Sequence, residues 1–228
     1  MAYLSRVLLN PLRIGAQRLL SDPQAMHAAI LGSIVEQPVT ERVLWRLDTP
    51  NRYRAEVLVQ SQSHPSFDHI VEQAGYTRTP DGAPVTRALD NLLSMVQSGR
   101  QFSCRLRANP THHVKTGRAE AGGARERGRR VGALAAPQQL EWFRKKLSAI
   151  GLPICVDEDE QLRAIIVGRQ RLQFDKGTHR VTLQVATLDA VVEVTDPNSA
   201  RDALLAGVGP GKAYGCGLLT LAPASAAV

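Results

Sequence analysis

The run YLSRVLLNPLRIGAQRLLSDPQAMHAAILGSI, residues 3–34, decides the fold. Its opening, Tyr3 to Leu9, is aliphatic and β-branched, the composition of a strand. Asp22-Pro23 then supplies an N-cap carboxylate followed by proline at the first helical position, where a missing N–H costs nothing. Beyond it Met26, Ile30 and Ile34 recur at i, i+4 and i+8 with Ala29 and Ser33 beside them. That stripe predicts a helix whose buried face lies on the first strand.

Outward from this unit, Val43 to Leu47 and Arg54 to Gln60 alternate around a polar turn, Asp48 to Arg52, and predict an antiparallel hairpin. Helices are expected from Ser66 to Ala74 and from Val85 to Val96. The alternation of Phe102, Cys104, Leu106 and Ala108 then predicts a strand over Gln101 to Ala108, closing a βαββαβ order. After Thr116 the tract GRAEAGGARERGRR has too little apolar content to pack and reads as a mobile basic loop. A helix over Pro137 to Ile150 follows. Two β-rich arms, Arg163 to Gln173 and His179 to Thr187, flank Asp175-Lys176-Gly177 and predict a second hairpin, with a further strand over Val191 to Val194. Asp196-Pro197 repeats the capping device, Ala200, Ala203 and Leu204 give that helix an apolar face, and Gly207 stops it before a last strand, Leu218 to Leu221. Both halves therefore read as α+β: two similar small sheets with helices on one face, dividing the chain into 1–97 and 98–228.

The chain has 228 residues, 43% of them hydrophobic, enough for one large or two small cores. No apolar run approaches the roughly 18 residues of a membrane span. The N-terminus meets Arg6 and Pro11 too early for a signal-peptide core, so the expected location is cytoplasmic. Lys and Arg number 28 against 21 Asp and Glu, a net charge of +7, which suits polyanion binding. Cys104, Cys155 and Cys216 lack the close pairing of zinc or redox sites and are expected as buried thiols.

GVGPGKAYGCGLL, residues 207–219, is the densest local signal. Glycines with one lysine let backbone amides approach a phosphate. The Walker A pattern fails at Ala206 and Ala213, and the loop runs from helix to strand rather than the reverse; the dinucleotide fingerprint lacks its third glycine. Two readings stay open for Gly207, Gly209, Gly211 and Lys212: a helix cap with a close backbone crossing, or a contact to an RNA phosphate backbone. His27 falls about 100° round the helix from Met26, at the border of the buried stripe, and is either a packed residue or a catalyst. His64, His69, His112 and His113 have no metal-ligand spacing, and the run Asp157 to Glu160 reads as a solvated turn, so no metal and no cofactor are expected. The cations are spread: Arg13 and Arg18 in the first loop, Arg105 and Arg107 on one face of a strand, Arg125 to Arg130, and Arg169, Arg171, Lys176 and Arg180 around the late hairpin. Arginines sharing a sheet face suit duplex RNA, read mostly by shape and backbone.

MAYLSRVLLNP, DPQAMHAAI, ERVLWRLD, EVLVQSQSHPSFD, FSCRLRANPTHHVKTGR and DPNSARDALLAGVGPGKAYGCGLLTLAP, in that order and nearly end to end, resemble the CasE-type CRISPR RNA-processing endoribonucleases. The resemblance implies two tandem ferredoxin-like domains and cutting of CRISPR precursor RNA at the 3′ base of a repeat stem-loop. It implies metal-independent attack by a ribose 2′-hydroxyl, leaving 2′,3′-cyclic phosphate and 5′-hydroxyl ends, and hand-over of the product to a Cascade complex by a protein monomeric when free. The family's helix-one histidine matches His27, its glycine-loop lysine matches Lys212, and its groove-entering hairpin matches Arg169 to Arg180 in basic character. Some relatives carry an assisting tyrosine three residues before the histidine and a lysine five after it, where this chain has Gln24 and Gly32. The competing expectation is a non-catalytic RNA-binding subunit of the same superfamily.

Overall fold

The computed structural model describes residues 1–114, 129–133 and 135–224. The first half runs β1 (Tyr3–Leu9), α1 (Ile14–Ser21), α2 (Pro23–Leu31), β2 (Leu44–Asn51), β3 (Arg54–Ser61), α3 (Asp68–Ala74), β4 (Val85–Ala88). Its four strands form an antiparallel sheet in the order β2-β3-β1-β4, the ferredoxin-like arrangement with its first helix split in two. The split falls at Asp22, whose N–H closes α1 on the Arg18 carbonyl while its carboxylate caps α2 at the Gln24 amide. Residues 14–21 were expected as loop; they are helical because Ala16 and Leu19 bury an apolar face of their own. Met26, Ile30 and Ile34 pack with Val7, Leu9, Trp45, Val57 and Val59 as the stripe predicts.

The expected helix from Val85 to Val96 divides. Val85 to Ala88 pair with β1 from Arg6 to Tyr3, and only α4 (Asp90–Met95) is helical. β1 otherwise offers an unpaired edge, and β-branched Val85 and Thr86 satisfy it, with the hydroxyls of Ser5 and Thr86 2.8 Å apart. The strand over 101–108 therefore does not close the first sheet; it opens the second.

That second half runs β5 (Gln101–Ala108), β6 (Thr111–Val114), β7 (Arg129–Gly132), α5 (Ala136–Ser148), β8 (Ala164–Lys176), β9 (His179–Glu193), α6 (Pro197–Ala206), a 3₁₀ turn (Lys212–Tyr214) and β10 (Leu219–Pro223). The sheet order β10-β5-β9-β8 repeats the topology of the first, with β6 and β7 as an inserted hairpin. The basic tract expected as a loop lies mostly outside the described residues. The separate strand expected at Val191 to Val194 is the end of β9, which runs unbroken past β5. Phe102, Leu106, Phe143, Leu147, Leu188, Val192 and Leu204 form the second core, and Val96 at the end of α4, with Leu92 and Leu93 of that helix, packs into it. Cys104 and Cys216 are buried, which pushes both thiols up to about 12, and no cysteine is paired.

Arg46 seams the halves together. It is 3% exposed, holds Asp48 bidentately at 3.0–3.1 Å, and donates to the Arg105 carbonyl at 3.0 Å and to Thr220 Oγ1 at 2.9 Å. Gln60 reaches across to the carbonyls of Leu204 and Leu205. A buried guanidinium with every face satisfied locks orientation more than it adds net stability.

Candidate active site

His27 sits in the second turn of α2, beside fully buried Met26, and is itself half-buried. Its Nδ1 is buried without a hydrogen-bond partner among the described residues, and desolvation holds its pKa below the ordinary imidazole value. A ring that is neutral at neutral pH is the state a proton acceptor needs.

α2 packs on the 3₁₀ turn of the glycine loop, which carries Lys212 and Tyr214. The loop is shaped by positive φ. Gly207 (φ +77) ends α6, and a Cβ there would stand 2.8 Å from a Leu44 methyl; at Gly215 (φ +75) it would stand 2.7 Å from the Trp45 ring. Gly209 (φ +79) presses on Trp142 in the same way, and Gly211 (φ +87) leads into the turn. Close backbone crossing is thus realised. Lys212 is partly buried, and desolvation, with Arg42 nearby, lowers its pKa.

The third wall is a ribbon. β5 stops pairing β9 at Ala108↔Ala186, so β8 from Arg169 and β9 up to Val185 continue as two strands alone. Cross-strand pairs Leu172↔Leu183 and Phe174↔Val181 share one face and pack on Tyr214 and Cys216, with the Phe174 and Tyr214 rings 4.6 Å apart. Arg171, across from Gln184, and Arg180, across from Asp175, lie on the other face and are exposed. Lys176 is at the tip, paired with His179.

The remaining cations fall elsewhere. Arg13 caps α3, donating to the carbonyls of Val71, Glu72 and Gly75, and Arg18 is exposed on α1 rather than in a loop. Arg105 and Arg107 do share the open face of the second sheet. Arg105 is held bidentately by Asp189 at 2.5–2.6 Å. Arg107 donates to the Leu47 carbonyl and to Gln170 Oε1, both at 3.0 Å, and its Nε is buried without a partner among the described residues. Arg105, Arg107 and Arg169 line a groove of roughly 600 Å³ against the β2–β3 turn. The helix that carries His27, the turn that carries Lys212 and the ribbon therefore lie against one another, the groove arginines form a second group, and Arg13 and Arg18 stand apart. Among the described residues no three His, Cys, Asp or Glu side chains are arranged to hold a metal ion.

Sequence reasoning missed Arg46, Trp45, Phe174 and Tyr214. The aromatic at Tyr214, set among glycines, was the available signal, since such a residue needs a surface to cover.

A family model described as CRISPR associated protein matches residues 2–223. The chain is 28% identical over 229 residues to the CRISPR-associated endoribonuclease Cse3 of Thermus thermophilus, covering 97% of this chain and 100% of that one. It is 26% identical to the CRISPR system Cascade subunit CasE of Escherichia coli, over 79% of this chain and 88% of the relative. A solved structure of Thermus thermophilus Cse3 bound to an RNA representing a pre-cleavage complex superimposes with a TM-score of 0.78 at 27% identity, covering 97% and 99% of the two chains.

Proposed function

This chain belongs to the CRISPR associated protein family, and on that premise we propose that it is a cytoplasmic endoribonuclease that binds the stem-loop of CRISPR precursor repeat RNA and cuts it at the 3′ base of the stem. The observation that carries this reading is His27: a half-buried imidazole kept neutral by desolvation, on the helix that packs against the turn carrying Lys212.

The chemistry needs no metal. The ribose 2′-hydroxyl attacks the adjacent phosphorus, its proton leaves to a base, and the P–O5′ bond breaks as the 5′-oxygen gains a proton. The products are a 2′,3′-cyclic phosphate and a 5′-hydroxyl. A neutral His27 takes the first proton; its protonated form gives one to the leaving oxygen. Lys212, with the amides of Gly209 and Gly211, steadies the charge of the phosphorane, while the Gly207 amide is spent on the Ala203 carbonyl at the end of α6. Gln24 cannot carry a proton, so His27 bears the proton transfer that relatives share with a tyrosine.

The unit 1–97 presents His27, and 98–228 supplies the ribbon cations Arg171, Lys176 and Arg180 and the groove arginines Arg105, Arg107 and Arg169; Arg13 and Arg18 extend the basic surface along the first unit. The product RNA remains bound and passes to a Cascade complex.

The test is cleavage of an end-labelled repeat hairpin by wild type and His27→Ala in EDTA, with a substrate carrying one 2′-deoxy at the scissile position. Only wild type on all-ribose RNA should cut, and the loss in His27→Ala should reach about 10²-fold or more. Equal cutting by both proteins removes His27 from the chemistry. Tight binding with no cutting by either makes the chain an RNA-holding subunit.

A further inference from the structure

We infer that Gln24 is a positioning residue, a latch that holds the tip of the β8–β9 ribbon beside the histidine helix so that the RNA-facing wall is preset; this rests on the reading above. Two strands without a third are marginal in water. Beyond Ala186 the ribbon pairs with no third strand; near its base Asn109 Oδ1 accepts from the Gln184 amide, and two contacts hold it toward the tip. One is apolar, Phe174 on Tyr214. The other is polar and falls on the adjacent residue: Gln24 Nε2 donates to the Asp175 carbonyl, linking positions 151 residues apart in the chain.

The geometry gives Gln24 a reason to be an amide. It lies at the second position of α2, where its own N–H is taken by the Asp22 carboxylate, so its side chain is left to reach outward. An amide NH₂ donates to a carbonyl, whereas a carboxylate of the same shape does not. The exposed cations on the ribbon's other face then stand at a fixed offset from His27 instead of sampling many. Preorganising a wall in this way improves binding by lowering the ordering cost, leaving the chemical step itself unchanged.

The experiment compares wild type, Gln24→Glu, Gln24→Lys and Phe174→Ala. Glutamate near a helix N-terminus does not weaken α2, so Gln24→Glu isolates the lost donor, while lysine restores a donor of similar reach. Amide exchange of the RNA-free proteins should quicken about fivefold over residues 172–183 in Gln24→Glu and Phe174→Ala, stay unchanged over 186–193, and return toward wild type in Gln24→Lys, the size expected for one net hydrogen bond. Repeat-hairpin affinity should fall about fivefold in Gln24→Glu, with the single-turnover rate at saturating protein within about twofold of wild type. Unchanged exchange in Gln24→Glu overturns the latch. Faster exchange with unchanged affinity removes its role in presetting the wall, and a fallen saturating rate at unchanged affinity moves Gln24 into the chemistry. If wild type binds no hairpin RNA, the proposed function fails on that arm while the exchange arm still decides whether Gln24 holds the ribbon.

Discussion

β2 and β3 occupy in the first sheet the place that β8 and β9 occupy in the second, yet the two hairpins are built for different work. The first has strands of 8 residues each, and β3 pairs β1 along nearly its whole length. The second has strands of 13 and 15 residues and overruns its sheet. The short hairpin is buried from both sides: Trp45 and Val57 enter its own core, and Arg46 and Gln60 reach into the other half. The long one keeps a single apolar face, seated on the glycine loop, and exposes arginines on the other. One topology thus supplies an inner joint and an outer arm, and strand length relative to the neighbouring strand decides which.

That contrast breaks most readily at the joint. Arg46→Ala leaves partly exposed Asp48 beside an empty site and strips donors from the Arg105 carbonyl and Thr220, so a loss of about 3 kcal/mol is expected in urea unfolding. Arg171→Ala, on the exposed face of the arm, should stay within about 0.5 kcal/mol of wild type. An Arg46→Ala protein as stable as Arg171→Ala would mean the halves are not joined there.

Glycines sharpen it next. Gly215→Ala adds a Cβ at 2.7 Å from the Trp45 ring on top of a positive φ, whereas Gly177→Ala at the ribbon tip has φ +59 with nothing within 4 Å. The tip substitution should cost about 1 kcal/mol from backbone conformation alone, and Gly215→Ala should cost at least about twice that, read as the difference in urea midpoint. Equal costs would show that the glycine loop yields easily against β2.

The helix caps of the two halves differ more finely. Asp196 accepts from the amides of Asn198 and Ser199 and from the Ser199 hydroxyl at 2.6 Å, which holds its carboxyl below the usual range; Asp22 caps one amide, at Gln24. Asp22→Ala should cost about 1 kcal/mol, and Asp196→Ala should lower the unfolding midpoint further.

The smallest effect is a slope with pH. His27 has a lowered pKa in the folded protein, so between its ordinary value of 6.5 and the folded value the unfolded chain takes up the proton first. Its contribution is present above about pH 6.5 and lost as pH falls below it. Asp196, depressed below 3.8, adds a second loss at more acid pH. Unfolding midpoints from pH 7.5 to 5.5 should decline less steeply in His27→Ala than in wild type, and parallel curves would place the histidine in water.

Residue patterns alone carried the α+β class, the two Asp-Pro caps, the stripe of Met26, Ile30 and Ile34 and the stop at Gly207, because each depends on neighbours within a turn or a strand; they left His27 either packed or catalytic, and its selection came from the family resemblance. Local alternation also put Arg105 and Arg107 on one face. What it could not decide is which strand pairs with which edge. Val85 to Ala88 became β4 because β1 had a vacant edge, and 101–108 went to the second sheet. Nor does spacing say whether an arginine is available: Arg13 is committed to the carbonyls ending α3 and Arg105 to Asp189, through partners 58 to 84 residues away. The contact of Gln24 with the ribbon tip and of Trp45 with Gly215 belongs to the same class. Such pairings are set by where two independently formed sheets come to rest against each other, and only the tertiary structure decides that.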